Sequence, residues 1–203
     1  MRTARRSKAA APVGGCGTGE KERAARDVTA SDMGAAAEKR IRGSRSACFV
    51  CIGDQGNATV AVGPSGYLIV CIETTTNYGA TAVGVSCQRI TASGLELIGP
   101  ELNPAGLGSS QARPSVGYLT DGSWAVTWDS EDLDGDLSGV QLQRYSAFGV
   151  PMGQRIMANR TWEGAQSHSM LLPVGGPLNA VVIGWRQGDT ANSDVIYRVL
   201  PGL

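Results

Sequence analysis

The stretch "PSVGYLTDGSWAVTWDSEDLDGDLSGVQLQRYSAFGVPMG", residues 114–153, together with the "QRIMA" that follows it, holds four short strand-like runs separated by turn residues. They are Ser115–Leu119, Ser123–Trp128, Gly139–Tyr145 and Gln154–Ala158, divided by "TDG", an acidic loop and "AFGVPMG". β-Branched and aromatic residues between Gly, Asp and Pro punctuation read as an antiparallel meander. The second run, "WAVTW", is apolar on both faces. A strand with one wet face alternates, so a continuous apolar run needs cover on both sides. In the third run Val140 and Leu142 fall on one side, Gln141 and Gln143 on the other. The fourth, "QRIMA", is short and polar, as suits an outer edge that must resist stray pairing. No helical period occurs in the body of the chain, so the class is all-β.

The same pattern recurs on either side. "VAVGPSGYLIVCIET" (60–74) lies over "VGYLTDGSWAVTWDS" (116–130), with Gly66 over Gly122. "VSCQRITASG" (85–94) lies over "VQLQRYSAFG" (140–149), pairing Arg89 with Arg144, and Asn103 then falls over Asn159. A looser copy begins at Gln166, beside Gln111, and sets Trp185 of "NAVVIGWRQGD" in the place of Trp128. Multi-stranded repeats of about 40–50 residues are the mark of propeller blades, each sandwiched between neighbours. The units run over about 57–110, 111–165 and 166–203, the last stopping at "YRVLPGL" before a fourth strand. The architecture expected is therefore tandem four-stranded antiparallel blades, an incomplete β-propeller-like array. A closed propeller takes about four blades or more. Either the chain is a fragment of a longer repeat protein, or it assembles with other copies of itself or with neighbouring repeats. "ACFVCI" (47–52) is a candidate for the missing outer strand, closing the last blade in its own chain or lent to a neighbour. Two chains would then build a ring of about six blades.

Pro-x-Val-x-x-Leu-x-Asp-Gly, Val-x-Trp-x-Ser, an Asp/Gly-rich loop and Gly-Val-x-x-Gln-Arg, as they stand in residues 114–153, resemble the bacterial β-propeller-type repeats of large secreted or surface proteins. Such repeats often accompany haemolysin-type calcium-binding repeats. The likeness is partial over 57–103 and weak after Gln166. It implies an extracellular or cell-surface binding or scaffolding module, with calcium as a candidate ion, and no particular reaction.

Ahead of the body lies a different composition. Residues 1–45 hold 11 Lys+Arg and 5 Asp+Glu, while the rest holds 7 Arg and 13 acids, so a total of 18 against 18 hides two opposite regimes. With almost no large apolar residues, residues 1–46 cannot offset the entropy of ordering and are expected to form a disordered basic tail before a domain over 47–203. A short helix over Met33–Ile41 is the one local exception. The tail carries no apolar stretch of the kind a secretory signal uses. Its scattered charges, without interleaved aromatics, do not make a nucleic-acid footprint, and no apolar run reaches the about 20 residues of a membrane span.

Chemistry is sparser than architecture. Asp132, Asp134 and Asp136, with Asp129 nearby, place oxygen donors at alternate positions as calcium requires. They are not an EF-hand, since Leu137 and Gln143 stand where its Gly and bidentate Glu belong. The alternative is a solvated acidic turn. A propeller hydrolase of carbohydrate would use Asp129 and Asp132 as its carboxylates, although acids crowded on one turn rarely face each other across a substrate. His168, the only histidine, aligns with Arg113 at a strand entry, which suits a surface role. Trp162 in "NRTWEGA", with Arg160 beside it, is the candidate binding aromatic for a carbohydrate or protein ligand, or else a plug between blades. Arg89 and Arg144 recur with the repeat, which suits structural partners.

Five cysteines occur. Cys48-x-x-Cys51 is a weak metal or redox signal without a second such pair. Cys71 and Cys87 are symmetric about Gly79, since (71 + 87)/2 = 79. They face one another if a hairpin is centred there, either as a cross-strand disulfide or as two buried thiols. The function expected is a non-enzymatic scaffolding or binding module, calcium-stabilised. The alternatives are a remnant propeller hydrolase and a product with no independent function.

Overall fold

The computed structural model describes residues 55–74, 83–93, 96–104, 106, 109–131, 137–177, 179–188 and 191–202. The expectations for the tail, the 33–41 helix, Cys48, Cys51, "ACFVCI", Asp132, Asp134 and Asp136 lie outside these residues. Among the described residues there are eleven strands and no helix. In chain order they are β1 Gln55–Val62, β2 Tyr67–Thr74, β3 Gly84–Thr91, β4 Leu97–Leu102, β5 Gln111–Tyr118, β6 Trp124–Glu131, β7 Ser138–Tyr145, β8 Pro151–Met157, β9 Gln166–Val174, β10 Ala180–Gly188 and β11 Ser193–Leu200.

They form two four-stranded meanders, β1-β2-β3-β4 and β5-β6-β7-β8, and a three-stranded one, β9-β10-β11. Every pairing is antiparallel. This is a tandem array of propeller-like blades, stacked in sequence order through their first strands, β1 against β5 and β5 against β9.

Stacking explains why the second strand of the middle blade is apolar throughout. Trp124, Val126 and Trp128 point one way and join Ile69, Cys71, Val85 and Cys87 of the first blade in one core. Ala125 points the other way, and with Val140 and Leu142 it meets Leu171, Val181, Ile183 and Trp185 of the third blade in a second core. One strand thus serves two interfaces, with its polar Thr127 and Asp129 on the second side, both buried. Blades approach closely where no side chain intervenes. A Cβ on Gly117 would lie 2.7 Å from Pro173 Cδ and 2.8 Å from Leu171 Cδ2. Trp124 stacks on Tyr145 with ring centroids 4.2 Å apart and planes 10° from parallel.

The alternation read into β7 has a different meaning in three dimensions. Gln143 does not face water but is buried. Its amide donates to the carbonyl oxygens of Arg144 at 2.8 Å, Met152 at 3.3 Å and Gly153 at 3.4 Å, bridging the bulge between β7 and β8. Gln88 does the same in the first blade, to Arg89, Ile98 and Gly99. Gly99 and Gly153 both have positive φ, 69° and 71°. A buried amide there satisfies carbonyls that the interrupted ladder leaves unpaired.

Candidate functional site

The first strand of each blade carries a bulge. The pairing slips between Gly56 and Thr59 in β1, between Ala112 and Ser115 in β5, and between Ser167 and Met170 in β9. The first residue of each bulge is left-handed without being glycine: Asn57 at φ 44°, Arg113 at 51°, His168 at 57°. Such a residue is strained, and three at one repeat position call for a compensating interaction.

In the second and third blades a carboxylate from the preceding blade supplies it. Asp129, at the end of β6, accepts the backbone N–H of His168 at 2.7 Å and that of Ser169 at 3.2 Å, both on β9. Glu73, at the matching place on β2, accepts the N–H of Arg113 at 3.1 Å. The bulge takes these N–H groups out of the ladder, and the carboxylate satisfies them. Each carboxylate is also held within its own blade, Glu73 by the Asn57 amide at 2.7 Å and Asp129 by the Arg113 guanidinium at 3.0 Å. A polar line therefore runs Asn57–Glu73–Arg113–Asp129–His168 across all three blades. It is wettest at the Glu73 end. Asp129 is its driest member at 4% exposed, while His168 beyond it is exposed again. In the third blade the sequence departs: Arg186 follows Trp185 as Asp129 follows Trp128.

A second polar cluster bridges the middle and third blades. The Asp121 carboxylate accepts from the Ser123 hydroxyl and N–H, from Arg144 and from the Asn179 amide, and Thr120 donates to Asn179 at 2.8 Å. Partial burial alone would raise the Asp121 carboxyl, but the bonds from Ser123, Arg144 and Asn179 together hold it below its ordinary value. Arg89 donates to the Phe148 carbonyl of the middle blade at 2.9 Å and lies over the Tyr67 ring. Both recurrent arginines have structural partners.

Of the residues singled out from sequence, Asp129 is in the clasp, with both oxygens taken by protein donors. Among the described residues no three His, Cys, Asp or Glu side chains cluster as metal ligands. Trp162 is 64% exposed and does not plug a blade junction. Arg160 lines a groove of about 630 Å³ with Thr161, Trp185, Gln187, Asp194 and Tyr197, and Trp162 does not line it. The imidazole of His168 is paired with the Ser167 hydroxyl at 3.0 Å, and its backbone, not its ring, makes the contact between blades. Cys71 and Cys87 are register partners and are joined in a disulfide. Glu73 and the bulges escaped the sequence reading. Their signal was the acid at one repeat position in "CIET" and "TWDS".

No protein-family model and no curated protein matches the chain. Solved structures similar to it include a Hadza microbial sialidase, with TM-score 0.49, 14% identity and coverage of 71% of this chain and 35% of that one. Another is an endo-arabinase from Bacteroides thetaiotaomicron, with TM-score 0.48, 11% identity and coverage of 72% and 56%. A third is a protein of unknown function from Dyadobacter fermentans, with TM-score 0.50, 8% identity and coverage of 73% and 51%. This chain thus spans about a third to a little over half of those chains. The third likeness is one of fold alone, and chemistry does not follow from fold.

Proposed function

We propose that the chain is a non-enzymatic scaffolding module of surface or secreted type, which stacks blades and presents their loops and faces to a carbohydrate or protein ligand. The observation that carries this reading is the state of Asp129. A general acid or nucleophile must reach a substrate with an oxygen free to act. Asp129 instead meets three protein donors, two of them backbone N–H groups of the next blade. Its work is holding blades together. The disulfide between Cys71 and Cys87 suits an oxidising compartment, in keeping with a surface or secreted role. Calcium at the loop of Asp132, Asp134 and Asp136 belongs to the same proposal.

The rival reading, a carbohydrate hydrolase, is tested by turnover. The purified chain is expected to release no reducing sugar from a panel of arabinans, sialosides and aryl glycosides. Turnover by the wild type that disappears in a folded Asp129→Asn variant would establish the hydrolase instead.

A further inference from the structure

Both internal junctions follow one rule. The downstream blade presents the face that carries Val116, Trp124, Val126 and Trp128, or Leu171, Val181, Ile183 and Trp185 in the next copy. The upstream blade presents the opposite face, with Ile69 and Cys71, or Ala125 and Leu142. Strand register extends this rule to the two ends of the array. In the third blade Val182 pairs with both Leu172 and Val199, Gly184 with both Met170 and Tyr197, and Arg186 with Val195. These residues share the face turned away from the middle blade. Met170 (73%), Leu172 (64%), Val195 (84%), Tyr197 (72%) and Val199 (47%) are exposed on it. In the first blade Val60 pairs with Val70 and Val62 with Leu68, on the face turned away from the second blade, where Val60 and Val62 are exposed. Large apolar patches on a single chain mark interaction surfaces.

We propose that a second copy of this chain stacks head to tail on the third blade, seating its own Val60/Val62 face against the Met170/Leu172/Tyr197 face. The proposal rests on reading the chain as a stacking module, and it names that module's partner. The argument is continuity with the interfaces already formed. Among the described residues nothing covers one downstream-type and one upstream-type face, each built from the same repeat that mates twice within the chain. A copy covers both at once, and when the rotation closes, two chains give about six blades, inside the range of closed propellers. Arg186 occupies the place of Asp129, so this junction lacks the carboxylate clasp. It is held by apolar contact and forms reversibly.

Sedimentation equilibrium of the full chain at micromolar concentration tests this. The expected species has twice the 21.1 kDa chain mass. Val62→Lys and Tyr197→Lys alter exposed positions on opposite faces, so each variant keeps its fold and is expected to be monomeric. An equimolar mixture restores one good junction and recovers a dimer, because each variant keeps the face that the other has lost. A monomeric wild type, a dimer indifferent to both substitutions, or a mixture that stays monomeric overturns the proposal. None of these results touches the non-enzymatic reading, which rests on Asp129 inside one chain and stands or falls on turnover.

Discussion

Asp129 and His168 stand 39 residues apart in the chain, on different blades, yet the Asp129 carboxylate accepts the His168 backbone N–H at 2.7 Å. The contact joins the end of one blade's second strand to the bulge in the next blade's first. Its consequence for stability is asymmetric. Removing the carboxylate leaves two N–H groups without their acceptor, one of them buried, and an unmatched guanidinium, whereas removing the weaker partner at Glu73 exposes groups that water can reach.

Asp129→Ala is therefore predicted to lower the unfolding free energy by about 2–4 kcal/mol, the sum expected for one buried and one partly buried donor left unpaired. Glu73→Gln, whose partners are exposed, should cost about 1 kcal/mol or less. Urea titration followed by tryptophan fluorescence measures both. Equal effects at the two sites would mean that burial does not set the value of the clasp.

The disulfide between Cys71 and Cys87 closes a loop of 16 residues inside the first core. Constraining a loop of that length stabilises a fold by about 3 kcal/mol in the chain-entropy model. Reduction with dithiothreitol should lower the urea midpoint accordingly, and the double variant Cys71→Ala/Cys87→Ala should be insensitive to the reductant. Alkylation of both residues in the unreduced, unfolded protein would show that the bridge is absent.

Burial pushes the Tyr145 phenol from 10.0 up to about 12, with Arg155 opposing. Below pH 10 the phenol is neutral in both states. Between 10 and about 12 the unfolded chain releases a proton that the folded chain retains, so stability falls as pH rises through that window. The slope approaches about 1.4 kcal/mol per pH unit. Tyr118, also raised by burial, adds in the same direction. Tyr145→Phe keeps the stacking on Trp124 and should flatten the decline, measured as urea midpoints at about pH 9 and about pH 11. An equally steep decline in the variant would assign the effect elsewhere.

The blades were legible because their evidence is periodic. Trp128 and Trp185 recur, turns fall at Gly66 and Gly122, and the doubly apolar second strand requires two neighbours, which the structure supplies as two separate cores. The start of β5 was not legible. The strand was expected from Ser115 with Arg113 at its entry, yet it runs from Gln111 and carries a left-handed Arg113 in a bulge. The bulge also hid the clasp, since the groups Asp129 binds are backbone N–H groups, which leave no mark in sequence. Gln143 misled for a related reason: a polar residue on an alternating strand reads as wet, whereas its amide serves carbonyls inside the sheet.

The most direct test of the clasp is amide hydrogen exchange at His168 and Ser169. In the wild type both N–H groups are expected to be protected despite lying in a bulge, and Asp129→Ala should speed their exchange by about a hundredfold, more than at neighbouring ladder positions such as Leu172. Exchange at the rate of an open loop in the wild type, or protection that survives loss of the carboxylate, would contradict the account.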